Sequence, residues 1–160
     1  MAEVARIVDR IRATWPRVEI WLRADSGFAR DELMAWCEAN RVDYVFGLAR
    51  NPRLVAELEA DLAVAAAEHA ETGQPARRFK EFVYATLNSW SRARRVVGKA
   101  EHLAKGANPR FVVTSLSAAA LDGRTLYEAV YCARGEMENR IKACPRALYV
   151  WGGVLELEGT

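Results

Sequence analysis

The chain has 160 residues, 51% of them hydrophobic, which is enough for one core of ordinary domain size. It has no apolar run of about eighteen residues and no charged start followed by an apolar block, which argues against a membrane span or secretory leader and makes the cytoplasm the expected compartment. The net charge of +2 is unevenly spread: residues 77–110 carry nine Lys and Arg against two Asp and Glu, whereas residues 1–76 carry nine against thirteen and residues 111–160 five against six.

From the amino end, Ala2 to Thr14 puts Val4, Ile7, Val8 and Ile11 on one helical face, and Pro16 stops the helix. Val18 to Ala24 alternates, with Val18, Ile20, Leu22 and Ala24 on one side, and is expected to be a strand. Asp25 then stands at the carboxyl end of that strand, where open α/β sheets bind ligands. With Ser26 and Gly27 behind it, Asp25 also suits a turn or cap. A helix over Asp31 to Asn40 and a second alternating strand over Arg41 to Ala49 complete a helix, strand, helix, strand order, for which parallel pairing is expected. Pro52 to Ala70, rich in Ala, Leu and Glu, reads as one helix or two short ones covering the core, and Gly73 and Pro75 break it.

In the basic segment the period changes to two. Phe79 to Leu87, Trp90 to Glu101 and Arg110 to Leu116 read as strands. On the second of these Trp90, Arg92, Arg94 and Val96 face one way and Arg95, Val97 and Lys99 the other. Cations on a sheet face beside a Trp suit a phosphate-tracking surface, and the same pattern suits a merely solvated face. Cys37, Cys132 and Cys144 lie far apart without zinc-type spacing, so Cys37 and Cys132 are expected to be buried, inert thiols.

Leu121-Asp122-Gly123 turns the chain into a helix over Leu126 to Lys142, with Asp122 a candidate cap. Leu126, Val130, Ala133, Met137 and Ile141 form its apolar stripe. Beside it runs a line of Tyr131, Arg134, Glu138 and Lys142. Spacing alone allows ordinary ion pairs between Arg134 and Glu138 and between Glu138 and Lys142.

The pattern Tyr131, Arg134, Glu138 resembles the Y-x-x-R-x-x-x-E signature of DDE transposases from bacterial insertion sequences. Leu22-Arg23-Ala24-Asp25-Ser26-Gly27-Phe28 resembles the segment that carries their second catalytic Asp. The text from Trp21 to Arg50 and from Trp90 to Lys142 is similar to insertion-sequence family thirteen-eighty of that group. The resemblance implies a partial RNase H-like α/β fold, with residues 1–50 and 117–143 as catalytic core and residues 51–116 as helical cover and basic β-rich insertion between the Asp25 strand and the Glu138 helix. It implies cutting and joining of DNA at insertion-sequence ends, with two Mg²⁺ or Mn²⁺ ions held by carboxylates including Asp25 and Glu138. Tyr131, Arg134 and Lys142 would contact phosphates, as would Arg92, Arg94, Arg95 and Lys99 of the insertion. Lys142 stands off the family's Lys position, which Pro145 fills here.

The family's first catalytic Asp has no counterpart in a strand-like context between Met1 and Pro16, and residues 144–160 resemble nothing in the family. The expectation is therefore a truncated transposase with a frameshifted tail, inactive as an Mg²⁺-dependent DNA strand transferase. The alternative is a non-catalytic, DNA-binding or inhibitory product that forms a homodimer or pairs with an intact transposase.

Overall fold

The computed structural model describes residues 2–133 and the backbone of residues 147–151. The elements expected up to Leu116 are present, with the first strand of the basic segment at Ala76–Tyr84 instead of Phe79–Leu87. Helix α1 spans Ala2–Thr14, strand β1 Glu19–Ala24, helix α2 Asp31–Ala39, strand β2 Asp43–Leu48, and helices α3 and α4 Pro52–Glu57 and Glu59–Thr72. Strands β3 (Ala76–Tyr84), β4 (Arg94–Leu103), β5 (Gly106–Ala107) and β6 (Arg110–Thr114) follow, and a short strand β7 covers Ala147–Trp151. All seven lie in one sheet of order β3-β4-β6-β2-β1-β7, with β5 beside β4. β1 and β2 are parallel, as the helix–strand alternation predicts. β6 runs antiparallel to β2, so the strands of the basic segment extend the Asp25 sheet.

Strand alternation sends one set of side chains to each face, and both faces are covered. On one, Ile20, Leu22, Tyr44, Phe46, Val96 and Val113 pack with Val8 and Ile11 of α1, Met34 and Cys37 of α2, and Leu54 and Leu58. On the other, Val45, Val97 and Val112 pack with Leu126, Tyr127 and Val130. Burying these side chains supplies most of the fold's driving force, at roughly 1.5–3 kcal/mol for each large aliphatic or aromatic one. Burial also pushes the Cys37 thiol up to about 12, leaving it inert as expected.

Three local expectations are corrected. β4 begins at Arg94, not Trp90, because Thr86 Oγ1 accepts the N–H groups of Ser89 and Trp90 and closes a turn, leaving Trp90 and Arg92 in the β3–β4 connection. Cys132 is exposed, since it follows the last packed side chains of its helix. That helix begins as read, with Asp122 Oδ1 accepting Thr125 N–H at 3.0 Å. From Leu126 to Tyr131, however, it widens to π geometry, with Cys132 N–H bonded to Tyr127 O at 2.9 Å. Arg134, Glu138 and Lys142 lie outside the described residues. No helix among the described residues is long and apolar enough to cross a membrane.

Candidate active site

Parallel pairing of β1 with β2 brings their carboxyl ends, and the loops that leave them, to one edge of the sheet. Asp25 is the first residue beyond β1. Its Oδ1 accepts Gly27 N–H at 2.9 Å, which caps the short turn Ser26–Phe28 and holds the exposed carboxylate at that edge. The turn reading and the ligand reading of Asp25 are thus compatible.

Tyr131 reaches the same edge from the far end of the chain. Its hydroxyl fills the space where Gly47 has no side chain: a Cβ there would lie 2.3 Å from Tyr131 Oη and 3.1 Å from Ser26 N. Asp25, Ser26, Gly47, Arg50, Arg110 and Tyr131 together line a cavity of about 300 Å³. Asp25 is the only acidic residue among the described residues of its wall. Its hard oxygens suit Mg²⁺ or Mn²⁺, but among the described residues no cluster of three or more His, Cys, Asp and Glu could hold a metal ion.

Arg23, two residues before Asp25, fastens this arrangement from beneath. Its buried guanidinium donates through Nη1 to the carbonyls of Val130 (2.8 Å), Tyr131 (3.2 Å) and Ala133 (2.8 Å). A cation beside the carbonyls of a helix's last turn also meets the negative end of its dipole. The strand bearing Asp25 and the helix bearing Tyr131 are thereby tied through one side chain. Replacing Gly47 with Ala should drive Tyr131 from its seat at a modest stability cost of about 1 kcal/mol, because a flexible side chain yields. The expected readout is a large change in the Tyr131 ring NMR shifts with a urea midpoint lowered by roughly 0.5 M; unshifted resonances would refute it.

The cations expected to track phosphate are placed elsewhere. The alternation on β4 is as read, but both faces are packed. Arg94, its side chain 1% exposed, bridges Asp31 Oδ1 (2.7 Å) and Glu38 Oε1 (2.7 Å) of α2. Arg95 pairs with Glu81 at 2.6 Å, and Lys99 is buried against Glu101 at 2.5 Å. Arg92 is exposed, 3.6 Å from Glu38. None of the four lines the Asp25 cavity. Arg23, Arg50 and Arg110 went unnoticed in the sequence. The position of Arg50 just past β2, at the same sheet edge as Asp25, was the one available signal.

No curated protein matches the chain. A family model described as "Transposase DDE domain group 1" matches residues 1–150, nearly the whole length. That match agrees with the two motifs whose Asp and Tyr meet in the cavity, and the chain belongs to the DDE transposase family.

Proposed function

We propose that the chain is the part of an insertion-sequence transposase, of family thirteen-eighty, that carries the second and third metal-binding carboxylates, Asp25 and Glu138. The observation that carries this reading is that Asp25 and Tyr131, 106 positions apart in the chain, share one cavity. In this reading residues 1–50 and 117–143 form an RNase H-like core, and residues 51–116 a cover and β-rich insertion. When bound, two Mg²⁺ or Mn²⁺ ions would supply charge neutralisation of the attacking and leaving oxygens of an in-line displacement at phosphorus.

The chain's own residues then have distinct tasks. Asp25 presents a carboxylate at the rim of the cavity, and Tyr131 presents a hydroxyl to a phosphate oxygen. Arg134 and Lys142 take the phosphate contacts that the family signature implies, Arg134 in bidentate fashion. Arg92, Arg94, Arg95 and Lys99 are weaker candidates for contact, since Arg94, Arg95 and Lys99 are turned inward to carboxylates.

Since the first Asp has no counterpart in these 160 residues, the chain by itself is expected to bind DNA without cutting it. Incubation of the purified chain with Mg²⁺ or Mn²⁺ and duplex bearing insertion-sequence ends should leave the DNA intact. Robust cleavage that Glu138→Gln abolishes would overturn the inactivity. A non-catalytic, DNA-binding or inhibitory product is the second reading, which DNA binding without cleavage would favour.

A further inference from the structure

We infer that Arg50 and Arg110 form a phosphate-binding wall of the Asp25 cavity and seat the phosphodiester backbone of a DNA strand there. The inference rests on the DNA reading above and names side chains which neither the family signature nor the basic β4 pattern singles out.

Arg50 follows β2, whose carboxyl end lies beside that of the Asp25 strand, and Arg110 opens β6, whose antiparallel pairing sets Phe111 opposite Leu48. Two segments far apart in the chain thus bring an arginine each to the lining that holds Asp25 and Tyr131. Both residues are exposed.

Their pairing state sets them apart from the cations nearby. Arg77, Arg78, Lys80, Arg92, Arg94, Arg95, Lys99 and Arg124 each have a carboxylate within 4 Å. The side chains of Arg50 and Arg110 have no carboxylate within 4 Å and no hydrogen-bond partner among the described residues. Arg110 is moreover the direct cross-strand neighbour of Lys99, a like-charge pairing that destabilises a sheet unless an anion intervenes. Glu101 neutralises Lys99 and is already shared with Arg77, so the charge of Arg110 is left uncompensated.

Among the described residues of the lining, one carboxylate, Asp25, stands with the two arginines. A strand phosphate lying between Arg50 and Arg110 would gain two charge-assisted contacts, with the Tyr131 hydroxyl as a further donor. The position beside Asp25 would fix the register of the strand relative to the carboxylate.

The test is fluorescence anisotropy with the full 160-residue chain and a short labelled DNA duplex in EDTA, over a salt series. Arg50→Gln combined with Arg110→Gln should weaken binding about tenfold or more and lower the salt slope by about two. Arg17→Gln removes an exposed charge just before β1, at the other end of that strand, and should change affinity less than about twofold. Far-UV circular dichroism checks that each variant is folded. Equal losses for Arg17→Gln and the double variant would reduce the effect to bulk charge and overturn the inference. Tight wild-type binding unaffected by the double variant would overturn it while leaving the DNA reading intact. A wild-type chain that binds no DNA at low salt would overturn the DNA reading and the inference together.

Discussion

Changing Arg94 to Ala is expected to cost the fold about 3 kcal/mol at neutral pH and to lower the melting temperature by about 10 °C. Arg94 was expected on an open DNA-facing strand surface and is instead a buried bridge from β4 to α2. Nε meets Glu38 Oε1 at 2.7 Å, Nη1 meets Asp31 Oδ1 at 2.7 Å, and the guanidinium lies 5.6 Å from the centre of the Trp90 ring. Removing it strands two carboxylates in a partly desolvated site, and that stranded charge, rather than the net worth of the pair, sets the cost. Arg94→Lys should recover part of it, since an ammonium cannot span both carboxylates as the fork does.

The pH dependence identifies the cause. Burial raises the Glu38 carboxyl, and hydrogen bonds from Arg94 and Tyr44 more than offset this and hold it below its ordinary value. Burial likewise raises Asp31, but Ser91 N–H and Arg94 bring it below its own ordinary value. Groups held low in the folded state stabilise above their unfolded pKa and lose that contribution as the pH falls through the folded value. The gap between wild type and Arg94→Ala in urea denaturation should therefore narrow below about pH 4. A gap constant down to acid pH would show that lost packing, not stranded charge, is responsible.

Glu101→Gln is expected to be comparably damaging, at about 3 kcal/mol at pH 7. Glu101 is 4% exposed and receives Arg77, Lys99 and the Asn108 side-chain amide. Burial raises its carboxyl, and the hydrogen bonds from Lys99, Arg77 and Asn108 outweigh this and bring it down to about 2. Glutamine fills the space but leaves the Lys99 ammonium buried with no anion, facing the Tyr127 ring 5.4 Å away. In the wild type this contribution is whole above about pH 4.5 and is lost as the pH drops towards 2. The variant should lack that acid slope, so the two denaturation midpoints should converge near pH 2. Parallel acid limbs would remove Glu101 as their source.

Both predictions concern residues whose type and strand were legible from the sequence but whose partners were not. The opposite orientation of Arg94 and Arg95 follows from the two-residue period of a strand. That α2 lies over one of them, and Glu81 of β3 beside the other, depends on long-range packing and pairing that no local period encodes. The π widening at Tyr131 was likewise hidden, because an apolar stripe at steps of three and four reads as an ordinary helix until Gly47 and Arg23 are placed against it.

The sequence by itself determined the order of helices and strands through apolar periodicity, the parallel β1–β2 pair through their alternation with helices, and the place of Asp25 at a strand's carboxyl end. Two short motifs pointed to the DDE transposase family, to which the match over residues 1–150 assigns the chain. Only the tertiary structure decided which cations meet carboxylates inside the protein and which do not. The physical reason is that a charge is neutralised by whatever folding brings within a few ångströms. Arg94 meets Asp31 across 63 residues, while Arg50 and Arg110 converge on Asp25 with no carboxylate partner of their own among the described residues.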